Sequence, residues 1–302
     1  MLRIVSQVIA AVLLGTAMWL AYRKWVKPHA ASLDLQQRGA LLLTLLALAG
    51  GFVGSPFWWM DLPASFSWDL PPLASRMLAS AGWSFFVVCV LVLRRPTFRR
   101  LRLVLLLLFV YLAPLALAIF LFHLDRFDPR LPVTYAFFAI AIVMTVASTW
   151  YLLRPPRWIV PDSRRDAEPS SGAVRAWLSA LVVLTGVWGL ALFITDQGPS
   201  DLIWVWPGDL LSSRLIGVML LTIAAGSAYS LRYADTARTM LAMVVTYALG
   251  LAVASLWNLL AGKPIKAAYL VVFGVIFLGS VALLVWDRPK QAVLQSSSYQ
   301  IE

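Results

Sequence analysis

Long apolar runs, broken by short clusters of arginine, proline and glycine, set the pattern of this chain. Nine runs, at about 4–22, 39–57, 77–93, 103–122, 132–153, 176–196, 215–231, 239–260 and 267–286, approach the roughly 20 residues needed to cross the hydrocarbon of a bilayer. Lipid offers no partner for a free backbone amide, so each run is predicted to be a helix. The first run ends in "YRKW" with no small-residue cleavage pattern. It therefore reads as an uncleaved helix rather than a signal peptide.

Two stretches of the pattern repeat. "WDLPPLASR" at 68–76 and "WPGDLLSSR" at 206–214 carry the same tryptophan-to-arginine spacing, 138 positions apart. The same offset pairs Leu73 with Leu211, Ser75 with Ser213, Arg94 with Arg232 and Arg100 with Arg238. Further on the offset becomes 134, pairing Tyr135 with Tyr269 and Arg154 with Arg288. The change falls where the loop "HLDRFDPR" shortens to "AGKP", and insertions belong in loops. The expected fold is thus an all-α integral membrane protein with nine transmembrane helices, one leading helix plus two parallel tandem four-helix repeats. The divisions are a leading helix and loop at 1–37, a first repeat at 38–157, a linker at 158–174, a second repeat at 175–290 and a tail at 291–302.

Composition agrees with a lipid solvent. The chain is 61% hydrophobic and only 13% charged, against about a quarter charged in soluble domains. The net charge of +11 comes from arginines in short loops between apolar runs, a topological pattern rather than a nucleic-acid face, so no nucleic acid is expected as a partner. The loops 23–38, 94–102, 154–175 and 232–238, with the tail from 287, carry 18 of the 25 Lys and Arg residues. That bias predicts the N-terminus outside and the C-terminus in the cytoplasm. Arginine far outnumbers lysine amid abundant Ala, Leu, Val and Pro, which suggests a high-GC bacterial genome and hence the cytoplasmic (inner) membrane.

The twin motif falls in outward loops. Trp68 and Trp206 are expected at the interface, where an indole buries its rings and keeps its N–H near headgroups. Arg76 and Arg214 open the following helices, with Asp69 and Asp209 near enough in sequence to pair with them. A sharper alternative makes Arg76, Arg214, Trp68 and Trp206 a pair of sites for anionic headgroups or an anionic ligand. The closest form, "WVWPGDLLSSR" at 204–214, resembles a family of uncharacterised multi-span bacterial membrane proteins with a Trp-Pro-Trp…Leu…Arg loop pattern. The copy "FSWDLPPLASR" at 66–76 has lost the Trp-Pro pair. The resemblance implies no activity.

Little else carries chemistry. None of the 14 acidic residues falls in the middle of an apolar run, which argues against proton- or sodium-coupled transport. His29 and His123 are expected on opposite sides of the membrane, His123 wet at the outer end of the fourth helix, so they cannot share a metal or haem. No cofactor is expected. The eighth helix carries Thr246, Gly250 and Ala254 at helical spacing, and the second helix Gly50 and Gly54, both read as close-packing stripes. Thr222, Gly226 and Tyr229 on the seventh helix, with Tyr247, Ser255 and Asn258 on the eighth, form a polar seam without a counterpart in the first repeat. It reads either as interhelical hydrogen bonding or as a small pocket.

Three function classes follow. The first is a non-enzymatic scaffold or accessory subunit in contact with membrane lipids and other membrane protein subunits. The second is a carrier or flippase-like protein for a lipid or small neutral molecule. The third, an enzyme at the outer face, is the least supported.

Overall fold

The structure is a computed structural model that describes residues 2–62, 68, 70–156, 168–195, 209–263, 265 and 267–286. Asp69, Trp206, most of the linker and the C-terminal tail lie outside the described residues. The described chain is helical, without a strand, in the order α1 (Leu2–Ala21), α2 (Leu35–Trp59), α3 (Pro72–Arg94), α4 (Phe98–Phe122), α5 (Pro132–Leu153), α6 (Gly172–Ile194), α7 (Leu210–Ser230), α8 (Ala234–Leu260) and α9 (Ala267–Trp286). Eight of these, α2 to α9, are long and apolar enough to cross a membrane. The chain is a multi-pass membrane protein.

Six helices begin about one turn before the apolar run that announced them, because a run stops at its first charge while a helix extends to its cap. Asp34 forms a capping box with Gln37 ahead of α2, accepting from the Gln37 N–H at 2.7 Å while the Gln37 side chain accepts from the Asp34 N–H at 2.9 Å. Thr97, Ser171 and Asp209 cap α4, α6 and α7 in the same sense. The expected loop at 23–38 is shorter than the charge pattern implied. A π-helical turn, Tyr22–Val26, and a 3-10 turn, Lys27–His29, continue from α1. Beyond α8 the chain turns at Gly262, whose φ of +66° favours a residue without Cβ.

At the centre, α3 packs on α8 and α4 packs on α7. Around these four, α2 lies on α3, α6 on α7, α5 on α4 and α9 on α8, with α1 against α2. The central helices bury small and hydroxyl-bearing residues, among them Ser75, Ser80, Ser84, Ser212, Ser213 and Thr222. The peripheral helices expose large aliphatics such as Val146, Val183, Val187, Val271 and Leu278. The rest of the buried interior is apolar, with Leu, Val, Ile and Met prominent on α4 and α8. Between helices in lipid, small side chains permit contact and hydroxyls supply hydrogen bonds, while aliphatic bulk suits the acyl chains outside.

Glycines let two helix pairs approach backbone to backbone. A Cβ on Gly51 of α2 would collide with the Gly82 carbonyl of α3, and one on Gly189 of α6 would sit 2.8 Å from the Gly217 carbonyl of α7. The stripe expected at Gly50 and Gly54 is displaced by one residue. Gly50 faces open space, and the space beside Gly54 is filled by Trp58 of its own helix. On α8, Gly250 does meet α3, against Ser80, and Ala254 is fully buried.

Candidate functional site

The repeated motif builds two clasps at one end of the bundle. Ser75 Oγ donates to the Trp58 carbonyl at 2.5 Å, and Ser213 Oγ donates to the Leu192 carbonyl at 2.8 Å. Each serine thereby fastens its helix to the last turns of the helix before it in the chain. Leu73 and Leu211 are buried beside them. The next residue in each copy is the arginine, and each arginine reaches into the other half of the chain.

Arg76 Nη1 donates to Asn258 Oδ1 at 3.0 Å, and its guanidinium lies 5.4 Å from the Trp257 ring centroid. Arg214 Nη1 lies 2.6 Å from His123 Nε2, its guanidinium 4.7 Å from the Phe122 ring, and its Nε donates to the Phe193 carbonyl at 3.3 Å. In both, an aromatic ring and the polar residue after it close the end of α8 or α4 and receive the guanidinium. A cation held by a π face and a neutral acceptor is stabilised without a carboxylate.

Two expectations are corrected here. Asp209 does not pair with Arg214. Its carboxylate accepts from the Leu211 N–H at 3.2 Å and the Ser212 hydroxyl at 2.5 Å, and lies 3.7 Å from Arg126. Capping the α7 N-terminus holds the carboxylate at the helix start, away from the following turn. His123 is not a wet interfacial residue. It is 7% exposed, and burial, followed by the Arg214 charge, holds its pKa below the ordinary 6.5. Trp68 is half-buried, 4.8 Å from Phe127 and 5.8 Å from Phe137 between ring centroids, in a cluster with Leu211 and Leu215 of α7.

At the opposite end of the central helices lies a buried ion pair that the sequence reading missed. Arg100 Nε donates to both carboxylate oxygens of Asp235 at 2.8 Å, Nη2 adds a further contact, and Nη1 donates to the Leu91 carbonyl at 3.1 Å. Asp235 stands in the first turn of α8, favourable for a carboxylate. Segment 232–238, expected as a loop, is mostly the start of that helix. Its hydrogen-bonded entry is fixed by Ala234 N–H donating to the Glu168 carbonyl at 3.0 Å.

The polar seam is not gathered in one place. Thr222 donates to Val218 of its own helix at 2.7 Å, and Gly226 packs against Leu107 and Met240. Tyr229 donates to the Arg99 carbonyl at 3.4 Å, near the Arg100–Asp235 end. Asn258 belongs to the clasp at the other end, and the Ser255 hydroxyl is buried without a partner among the described residues. Tyr247 lines a cavity of about 10 Å³ between the central helices, room for about one water. Its walls are Ala74, Met77, Leu78 and Ala81 of α3, Ser212, Leu215, Ile216 and Met219 of α7, with Leu70, Tyr111 and Tyr247.

The signal for the clasp partners existed in the sequence. "FH" at 122–123 and "WN" at 257–258 are related by an offset of 135, between the two offsets seen elsewhere. No protein-family model, curated protein or solved structure matches the chain.

Proposed function

We propose that this chain is a non-enzymatic polytopic protein of a bacterial inner membrane, a scaffold or accessory subunit of a larger membrane complex. The observation that carries this reading is how its interior polar groups are used. Arg76 and Arg214 end on side chains of the other half of the chain, and Arg100 ends on Asp235. A protein that moves or converts a solute presents such groups to a ligand-sized space of some hundreds of Å³. Here they face one another, and none of them lines the cavity of about 10 Å³ between the central helices. What the protein offers its surroundings is apolar helix surface on α1, α5, α6 and α9, suited to lipid or to another membrane subunit.

The architecture we infer is a leading span, α1, followed by two parallel four-helix repeats. Exchanging the helices of 38–157 for those of 175–290 carries the α3–α8 packing into α7–α4, α2–α3 into α6–α7 and α4–α5 into α8–α9. The cavity walls obey the same exchange at the offset of 138, from Ala74 with Ser212 to Ala81 with Met219. In this reading the twin motif exists to lock the two units together at the outer face.

Purification of the intact protein in mild detergent tests the function. A stoichiometric protein partner is the expected result; a lone chain carrying a bound lipid would favour the carrier reading instead. Native mass spectrometry separates the two roles of the arginines. Arg76→Lys and Arg214→Lys should leave anionic-lipid occupancy unchanged while lowering the unfolding temperature, because lysine lacks the planar fork. Occupancy that falls in either variant with stability intact would restore the headgroup site.

A further inference from the structure

The two clasps differ in one respect that chemistry makes consequential. Asn258, the acceptor for Arg76, cannot titrate, whereas His123, the acceptor for Arg214, can. We propose that the Arg214–His123 clasp is an acid-released latch between α4 and α7, with Arg76–Asn258 as its permanent counterpart.

Arginine is always a donor, so His123 Nε2 must be the bare nitrogen of a neutral imidazole whose proton is on Nδ1. Protonation places an N–H on Nε2, removes the acceptor and sets a second cation against the guanidinium 2.6 Å away. Neither group can retreat to water without moving a helix end, because Arg214 is 9% and His123 7% exposed. The other charges facing His123 are Asp209 at the start of α7, with Asp125 and Arg126 in the turn after α4. Asp209 and Asp125 favour the protonated ring and Arg126 opposes it. Asp209 is itself held 3.7 Å from Arg126, which weakens its compensation. α5, packed on α4, carries no carboxylate, lysine, arginine or histidine.

The sign follows. The folded-state pKa lies below the ordinary 6.5, with burial the largest cause and Arg214 next. The unfolded chain therefore binds the proton more readily, and the stability held in the latch is present above pH 6.5 and is lost as pH falls below it. The Arg76–Asn258 clasp keeps its strength throughout.

The test uses the full chain in phosphatidylcholine nanodiscs with Cys89→Ser and spin labels at Leu124→Cys and Ile194→Cys, both exposed positions beside the latch. One short label separation is expected at pH 7.5, giving way to a longer one as pH falls toward 4.5. Its midpoint should coincide with the imidazole titration of His123 followed by nitrogen-15 NMR, readable because the chain has only two histidines. His123→Asn should hold the short separation at every pH. Asn258→His should create a second acid-sensitive separation, read between labels at Met60→Cys and Ala261→Cys. A separation that does not change between pH 7.5 and 4.5 overturns the latch, as does a His123→Asn protein that opens like the wild type. If that variant does not fold, a wild-type opening whose midpoint departs from the His123 titration overturns it equally.

Discussion

Single charged side chains decide how the halves of this protein meet, and each does so through a partner far away in sequence. Arg100 and Asp235 are 135 positions apart, with side chains 18% and 7% exposed. Removing one member of such a pair leaves the other charge buried and uncompensated, at a cost of about 3 kcal/mol. Asp235→Asn should therefore lower the unfolding midpoint in mixed dodecyl sulfate and maltoside micelles clearly. The double variant Arg100→Met with Asp235→Leu should recover most of the loss, since two apolar residues need no partner. A double variant as weak as the sum of its singles would contradict the pairing. The sequence marked Arg76 and Arg214 because they repeat, but not where they end. Charge proximity along the chain pointed to Asp69 and Asp209, and helix capping had a prior claim on Asp209. An asparagine and a histidine carry no such charge signal; the "FH" and "WN" offset marks them as equivalent positions, and their role as acceptors emerges once α4 and α8 are set against α7 and α3.

Among the elements, the helices themselves were the most legible feature, because an apolar run in lipid has no alternative to an internal hydrogen-bond ladder. Their starts were less so, for a cap such as Asp34 or Thr97 lies in polar sequence that hydropathy discards. Which glycine faces a neighbour was legible to within one residue, since spacing gives a stripe but not its rotation about the helix axis. The contrast between Gly50 and Gly51 makes this measurable. Gly51→Ala drives a methyl group into the Gly82 carbonyl and should cost about 1–3 kcal/mol as overpacking. Gly189→Ala, with its added carbon 2.8 Å from the Gly217 carbonyl, should be destabilising in the same sense and by less. Gly50→Ala meets nothing within 4 Å and should be neutral or stabilising by up to about 1 kcal/mol through helix propensity. Thermal unfolding of the three variants in one detergent ranks them, and an equal loss at Gly50 and Gly51 would mean that the α2–α3 crossing is misassigned.

For the whole molecule, the ends of the helices sort into two layers. The clasps gather the C-terminal ends of α4 and α8 with the starts of α7 and α3, while Arg100 and Asp235 gather the starts of α4 and α8 at the other end. Lys and Arg residues concentrate in the loops of the second layer, where Arg94, Arg95, Arg154, Arg175 and Arg232 are all exposed. Translocation of such loops is disfavoured during insertion, so this layer is the one we assign to the cytoplasm. The assignment has a direct consequence for chemical access. Cysteines at Pro129 and Ala261, exposed in the clasp layer, should react with a membrane-impermeant maleimide in intact cells of a Cys89→Ser strain. Cysteines at Ser32 and Ala173, exposed in the arginine-rich layer, should react only after the cells are opened. Ser170, though adjacent in sequence, is a poor reporter because it is 3% exposed. The four positions read out orientation and helix count together, since Ser32 precedes α2 and Ala173 opens α6, four spans later. Labelling of Ser32 and Ala173 alone in intact cells would reverse the orientation. Labelling of one but not the other would mean that the first four-helix unit does not begin and end on the same side, and the parallel repeat would fall with it.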